Sequence, residues 1–250
     1  MSGPRVIAMT SGETGVGKTT LTLDIGRALA AAGDRVVLLD ADPGAGDLRD
    51  RLGIDTSESV QAVRTGRQCF ADEWTVSADG LRLIRAGWAA ARGELAAAEQ
   101  HRLLDEVEAL DGRFDVLFVD LPSGASSATL FFAAAAHDTV LVLMPNRASV
   151  ETTAQLVGAL AKHGAPRTVS VLVNRSTGSD EARATFRALA GRTVAHTAIG
   201  LEYLGWVPNG DGRDGATGAL AGSIHEREAA SAHGGLQFFF RTLVTTREAA

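Results

Sequence analysis

Residues 12–20 have the residue types and the spacing of a phosphate-binding loop. Glycines at the first, fourth and sixth positions let successive backbone N–H groups turn inward toward phosphate oxygens. The lysine that follows can contact β- and γ-phosphates, and the hydroxyl after it is a ligand for Mg²⁺. The residues that we expect to contact a bound nucleotide here are Gly12, Glu13, Thr14, Gly15, Val16, Gly17, Lys18, Thr19 and Thr20.

The lysine in this loop is unusual for the chain. Lys18 and Lys162 are the only lysines, and every other basic side chain apart from histidine is an arginine. A compact ammonium acts as a point charge among phosphate oxygens, whereas a guanidinium is planar and larger. The residue type at position 18 therefore supports a phosphate-binding role.

Three aspartates follow apolar runs that are typical of strands. Asp40 and Asp42 follow one such run, and Asp120 ends another. Ligands of an open parallel sheet bind at the carboxyl ends of its strands. We therefore expect Asp40, Asp42 and Asp120 to converge, together with Thr19, on a magnesium ion beside the phosphates.

The elements that would position these residues alternate along the chain. The strands are continuous apolar runs, as expected when helices cover both faces of a parallel sheet. The predicted fold is therefore α/β, with a single doubly wound, mainly parallel sheet and helices on both faces. The predicted strands are Arg5–Ser11, Arg35–Asp40, Leu81–Arg85, Phe114–Asp120, Thr139–Met144, Thr168–Asn174 and Tyr203–Val207, and the predicted helices are Thr19–Gly33, Glu94–Leu110, Ser149–Lys162 and Asp180–Leu189.

The chain has the length of one α/β domain. We expect residues 1–232 to form this domain and residues 233–250 to form a C-terminal amphipathic helix. Pro208–Gly218 is rich in Gly and Asp and is typical of a linker, but it is too short to separate domains.

Composition excludes several classes of function. The net charge of −6 does not favour a nucleic-acid partner. Cys69 is the only cysteine, so neither an intramolecular disulfide nor a multi-cysteine metal site can form. No apolar stretch approaches the length of a membrane span, and the N-terminus lacks the pattern of a signal peptide. We therefore expect a cytoplasmic protein.

Longer motifs resemble those of the MinD/ParA class of P-loop ATPases, and within it the FlhG (FleN) branch, which controls the number and placement of flagella. The resemblance covers nearly the whole chain. Its segments are Ser11–Thr20, Val37–Leu48, Phe114–Gly124, Val140–Val150, Val171–Arg175 and Leu201–Pro208.

The resemblance implies roles for individual residues, with ATP and Mg²⁺ as ligands. Lys18 would contact the phosphates and Asp42 would position the attacking water, while Asp120 would hold magnesium through water. Asn174 would contact the adenine edge, and Pro208 and Asn209 would pass beside the base.

The chain departs from the resembling family at one position of the phosphate-binding loop. The family carries there a second lysine, which reaches across a nucleotide-dependent homodimer to the partner's phosphates. This chain has Glu13 instead. We expect a dimer weakened by that carboxylate, in which Arg49 or Arg51 could supply the missing cation.

The C-terminal segment allows two interpretations. One helical face would carry apolar side chains at Leu236, Phe239, Phe240, Leu243 and Val244. Residues 236–244 would either close the domain as a packed helix or bind a membrane surface reversibly, as in MinD and FlhG proteins. The second interpretation would place the protein peripherally at the inner face of the cell membrane.

Three hypotheses about function stay open at this point. The first is an ATP-hydrolysing regulatory switch of the MinD/ParA type, acting on flagellar or polarity partner proteins. The second is a relative impaired in hydrolysis that serves as an ATP-gated interaction module. The third is an ATP-dependent small-molecule ligase, because the loop Glu13–Thr19 is also similar to that of dethiobiotin synthetase.

Overall fold

A computed structural model describes residues 5–42, 48–54, 74–85, 105–164, 168–210 and 213–230 of the chain. Within these ranges, strands and helices alternate. The strands are β1 (Arg5–Thr10), β2 (Val36–Asp40), β3 (Thr75–Val76), β4 (Arg82–Arg85), β5 (Val116–Asp120), β6 (Asp138–Leu143), β7 (Thr168–Ser176) and β8 (Gly200–Pro208). The helices are α1 (Lys18–Ala32), α2 (Leu48–Arg51), α3 (Ser127–Ala135), α4 (Arg147–Lys162), α5 (Ser179–Thr193) and α6 (Arg213–Ala230).

All eight strands lie in one sheet, in the order β3-β4-β2-β5-β1-β6-β7-β8. Every neighbouring pair is parallel except β3 with β4. β5 therefore lies between β1 and β2, and the carboxyl ends of these three strands meet at one edge. The predicted doubly wound, mainly parallel α/β fold is confirmed.

Side chains alternate across the sheet into two apolar layers. Val6 and Ala8 of β1 pack on one face, together with Phe131 and Phe132 of α3. The neighbouring side chains of β1 pack on the other face, against α1 and α6. Helices α4 and α5 extend the first layer over β6 and β7. Both faces are therefore covered, which explains why the strands are apolar throughout.

Several predicted boundaries were wrong. The segment Pro208–Gly218 is not a linker, since β8 includes Pro208 and α6 begins at Arg213. β8 begins at Gly200 rather than Tyr203, and the short helix Leu48–Arg51 was not among the predicted helices.

Helix α3 and strand β3 were not predicted. Apart from Ser127, every α3 residue is buried, so its sequence SATLFFAAA lacks the polar face that reveals an amphipathic helix.

The C-terminal helical face at 236–244 lies outside the described residues, as does most of the predicted helix Glu94–Leu110, of which residues 105–108 are helical. In the part of the chain that is described, no helix combines the length and the hydropathy needed to cross a bilayer.

Candidate nucleotide-binding site

The predicted phosphate-binding loop connects β1 to α1 at the carboxyl edge of the sheet. Gly15 and Gly17 have φ of 78° and 91°, in the left-handed region that side chains with a Cβ rarely adopt. Gly17 directly precedes α1, so the helix begins at Lys18 with its N–H groups facing the loop. This arrangement supplies the backbone donors and the positive helix end that an anion requires.

The first glycine of the loop has a different structural reason. A Cβ at Gly12 would lie 2.3 Å from the backbone carbon of Thr152 and 2.3 Å from the backbone nitrogen of Thr153. Helix α4 therefore packs directly against the loop backbone at this position. A Cβ here would require the helix and the loop to separate.

Lys18 lies between two carboxylates. Its Nζ is 3.3 Å from Asp42 Oδ2 and 3.5 Å from Asp120 Oδ1, and the three side chains are 5%, 8% and 1% exposed respectively. The Thr19 hydroxyl donates to Asp120 Oδ2 at 2.7 Å. The Asp42 N–H donates to Asp40 Oδ1 at 3.2 Å, and Asp40 is in register with Asp120 on the neighbouring strand. The structure thus brings together the five residues expected to contact phosphate and magnesium.

Asp120 is electrostatically incomplete in this arrangement. Burial raises the pKa of its carboxyl above the ordinary value, and the charge of Asp42 adds to that shift. Lys18 and the Thr19 hydrogen bond act in the opposite direction but do not offset the burial. Among the described residues, no donor hydrogen-bonds to its Oδ1, although this atom lies within ion-pair distance of Lys18. A further positive charge at this carboxylate would favour its ionised form.

The donor set fits magnesium. Mg²⁺ prefers oxygen ligands and commonly takes only one or two protein groups, with phosphates and water completing its octahedron. Thr19 Oγ1 and the Asp120 carboxylate are such groups. Among the described residues, no three His, Cys, Asp or Glu side chains form a preformed metal cluster. The site accordingly fits an ion that arrives with phosphate rather than one bound by protein alone.

The turn after β5 is tied to the phosphate-binding loop. Gly124 N–H donates to Ser11 O at 2.8 Å, and the Ser11 and Ser123 hydroxyls lie 3.0 Å apart. The Ser11 hydroxyl also donates to Glu13 O at 2.7 Å. Both serines lie in segments that carry the family resemblance, but the contact between them joins residues 112 positions apart and had no local signal in the sequence. These hydrogen bonds therefore connect the turn after β5 directly to the phosphate-binding loop.

The residues expected beside the base also reach this edge. Asn174 is fully buried, and its Nδ2 donates to Val16 O of the loop at 2.7 Å. Its Oδ1 has no hydrogen-bond partner. Asn209 N–H donates to Ser176 O at 3.3 Å, and Pro208 pairs with Ser176, so both follow Asn174 along the same edge. Among the described residues, the buried amide oxygen of Asn174 is therefore an acceptor without a donor.

The remaining loop residues have distinct surroundings. Thr14 is exposed, and the Thr20 hydroxyl accepts from Arg51 Nη1 at 3.0 Å. Glu13 is half-buried, and its Oε1 is buried without a hydrogen-bond partner. The loop therefore contains a buried carboxylate oxygen that accepts no hydrogen bond among the described residues.

Known proteins are similar to this chain in sequence and in fold. The CobQ/CobB/MinD/ParA nucleotide-binding domain matches residues 7–224. The antiactivator FleN of Pseudomonas aeruginosa is 31% identical over 206 residues, which cover 82% of this chain and 73% of FleN. The septum site-determining protein MinD of Synechocystis is 32% identical over 179 residues, covering 68% of this chain and 64% of that protein.

A solved structure agrees with these matches. MinD from Pyrococcus horikoshii, complexed with Mg-ADP, superimposes with a TM-score of 0.68 at 20% identity, covering 88% of this chain and 96% of that one. The sequence relatives are regulators by name, which favours the predicted regulatory class over the ligase alternative. The chain belongs to the CobQ/CobB/MinD/ParA family of nucleotide-binding domains, as a MinD/ParA-type member similar to FleN (FlhG).

Proposed function

We propose that this protein is an ATP-dependent regulatory switch that binds Mg-ATP at residues 12–20. The observation that carries the proposal is Lys18, buried between Asp42 and Asp120 with Thr19 on the second carboxylate. A triphosphate would accept the ammonium, and magnesium would neutralise Asp120. The solved MinD relative that holds Mg-ADP supports this ligand class.

Calorimetry tests ATP binding directly. We expect ATP and ADP to bind with magnesium and to bind more weakly with EDTA, because Asp120 then faces the phosphates without the charge of a metal ion. Asn174→Ala should weaken ATP and GTP unequally, since its amide oxygen would contact the base edge. A chain that binds neither nucleotide would contradict the proposal.

Hydrolysis requires a group that orients water at the γ-phosphate, and we assign this role to Asp42. Its carboxylate is 3.3 Å from Lys18 Nζ, so it lies at the phosphate end of the site. Asp42→Asn is expected to retain Mg-ATP binding while phosphate release falls at least tenfold. If phosphate release by Asp42→Asn equals that of the parent, another group orients the water.

Glu13 should weaken any nucleotide-dependent dimer. Two loops facing one another would bring this carboxylate toward the partner's triphosphate. Two like unit charges 4 Å apart repel by about 4 kcal/mol at an effective dielectric of 20. We therefore propose slow hydrolysis and weak dimerisation, unless another protein supplies an arginine in trans.

Two loop variants, compared with the parent protein, separate charge repulsion from a missing cation. Glu13→Lys should increase both the ATP-dependent dimer and turnover, whereas Glu13→Gln should increase the dimer alone. The measurements are analytical ultracentrifugation and phosphate release with Mg-ATP. Glu108→Lys makes the same charge change away from the loop and serves as the control. A parent protein that already dimerises tightly and turns over as fast as Glu13→Lys would contradict this role.

We further propose reversible membrane binding through residues 236–244, on the basis of their apolar face and the family resemblance. Phe239→Glu should release the protein from anionic liposomes with little change in thermal midpoint. A large fall in midpoint, with no liposome binding by the parent, would instead identify a packed helix. Control of flagellar number or placement is the cellular role that the resemblance to the FlhG (FleN) branch implies.

A further inference from the structure

A second concave site lies away from the nucleotide loop, between helices α4 and α5. Its volume is about 630 Å³, within the range of small-molecule pockets. It reaches Lys162 at the end of α4 and Thr197, which precedes β8. It therefore extends toward the sheet edge at which strands β7 and β8 begin, opposite the edge that carries the phosphate-binding loop. We refer to it as the α4–α5 cavity.

Three basic side chains from different backbone positions line the α4–α5 cavity. Lys162 ends α4, Arg192 lies in the last turn of α5, and His196 follows that helix. Among the described residues, the side chains of Lys162 and His196 form no ion pair or hydrogen bond. Arg192 lies 3.5 Å from Glu151, which also pairs with Arg147. The cavity is thus lined by two exposed cations, Lys162 and Arg192, of which Arg192 is paired with a carboxylate, and by the exposed imidazole of His196.

The remaining lining supplies space and neutral donors. Gly158 and Ala161 of α4 carry little or no side chain and leave the centre of the cavity open. Gln155 adds an amide and Thr197 a hydroxyl. The lining also includes apolar side chains such as Ala198 and Ile199, so the cavity combines polar groups with apolar surface.

Basic residues at helix ends have a structural explanation that must be weighed. Cations near a helix C-terminus interact favourably with its carbonyl groups, and both α4 and α5 end here. That effect requires one cation on each helix. It does not require groups from two helices and a following turn to face one cavity, where they repel one another when charged.

We propose that the α4–α5 cavity binds a small ligand that carries a phosphate group. A phosphomonoester presents three terminal oxygens, which can accept hydrogen bonds from several donors of the lining at once. The cavity is larger than phosphate alone, so it has room for a compact body attached to it. The source of this phosphate is a soluble metabolite or a lipid headgroup, which share the same chemistry.

The test is residue-specific NMR on the full chain labelled with ¹⁵N. Inorganic phosphate and glycerol 3-phosphate are titrated with and without Mg-ADP, against sodium chloride at equal ionic strength. We expect saturable shifts of the amides of Arg192, His196 and Thr197. Shifts at Gly15 and Lys18 report the nucleotide loop separately, so the outcome here does not depend on the function proposed for that loop.

Matched variants assign the binding energy. Lys162→Ala/Arg192→Ala should weaken phosphate binding at least tenfold, and Lys162→Gln should weaken it severalfold. Arg187→Ala removes an exposed arginine from the same helix outside the cavity and should leave the affinity unchanged. Dihexanoyl phosphatidic acid binding more tightly than glycerol 3-phosphate would identify a lipid source, and the reverse a soluble one.

Three results would overturn the proposal. The first is equal shifts with phosphate and chloride. The second is unchanged phosphate affinity in both cavity variants, with only a lower thermal midpoint, which would leave the helix-end explanation. The third is an equal loss of affinity in Arg187→Ala, which would indicate unspecific attraction to the surface of α5.

Discussion

Two aspartates lie at opposite ends of β5 and differ in their exposure, in their charged partners and in the direction of their pKa shift. Asp115 precedes the strand, is 39% exposed and pairs with Arg35, whose Nη2 is 2.7 Å from its Oδ1. The hydrogen bonds from Arg35 lower the pKa of Asp115. Asp120 ends the strand, is 1% exposed, and its pKa is raised by burial.

The difference shows at which edge of the sheet the carboxylate is fully compensated by the protein itself, without a ligand. The Asp115 carboxylate has its counter-charge, a backbone N–H donor from Arg35 and access to water. The Asp120 carboxylate shares one lysine with Asp42 and is shielded from water. Both groups are aspartate carboxylates at an end of the same strand. Their exposure to solvent and their charged partners therefore determine the direction in which each pKa shifts. The edge at which we propose ligand binding is the one where a buried carboxylate lacks a counter-charge of its own.

Removing the shared cation should give the largest effect. Lys18→Ala eliminates the ammonium between Asp42 and Asp120 and brings phosphate toward two carboxylates. We expect Mg-ATP affinity to fall about 100-fold or more, in line with the loss of charged hydrogen bonds. Isothermal titration calorimetry measures it, and Arg187→Ala, which removes an exposed cation outside both proposed sites, is the control. Unchanged ATP affinity in a folded Lys18→Ala protein would reject the site.

Replacing each aspartate by asparagine should distinguish the two edges by the magnesium dependence of ATP binding. Asp120→Asn preserves shape but removes the charge that magnesium would neutralise. We expect its ATP affinity in magnesium to fall by about 10- to 100-fold, toward the value in EDTA. Asp115→Asn should retain the magnesium dependence of the parent. Equal magnesium dependence in the parent and Asp120→Asn would show that Asp120 is not part of the metal site.

The two carboxylates should also give opposite pH dependences of stability. Because the folded pKa of Asp120 is raised, its stabilising contribution is full below about pH 3.9, the ordinary value, and is lost as pH rises through the folded pKa. Because the folded pKa of Asp115 is lowered, its contribution is present above about pH 3.9 and is lost as pH falls through the folded pKa.

Urea unfolding of the ligand-free protein between pH 3 and pH 7 measures this contrast. Relative to the parent, Asp120→Asn should become more stable as pH rises, and Asp115→Asn less stable. Parallel curves for the two variants would mean that burial and pairing do not distinguish the carboxylates.

The smallest effect is expected at the exposed pair itself. Arg35→Ala removes a partner that is 43% exposed, so solvent screens much of the lost attraction. We expect the free energy of unfolding to fall by at most about 1 kcal/mol, with ATP affinity unchanged. Chemical denaturation and calorimetry check both. Loss of ATP affinity would show that the two ends of β5 are coupled.

Local patterns in the sequence were sufficient for much of the fold and for part of the site. The apolar runs that end at Asp40 and Asp120 predicted both the parallel sheet and the edge at which these residues meet. The glycine spacing placed the loop between β1 and α1. These features depend on neighbouring residues, so one sequence displays them.

Features that depend on distant residues could not be read in the same way. Helix α3 is buried on all sides, so no periodicity marked it. Gly12 matched the loop pattern, but its contact with the backbone of Thr152 is set by the packing of α4. The raised pKa of Asp120 results from burial, which only the assembled sheet defines.

The place of β5 in the sheet has a consequence for the order of events during synthesis. β1 and β2 leave the ribosome first but do not pair with each other, because β5 lies between them. Met9 pairs with Asp120, and Asp40 pairs with the same residue from the other side. Such long-range pairing is slow to form. A ligand held jointly by Lys18, Thr19 and Asp120 therefore cannot stabilise the nascent domain until residue 120 has emerged.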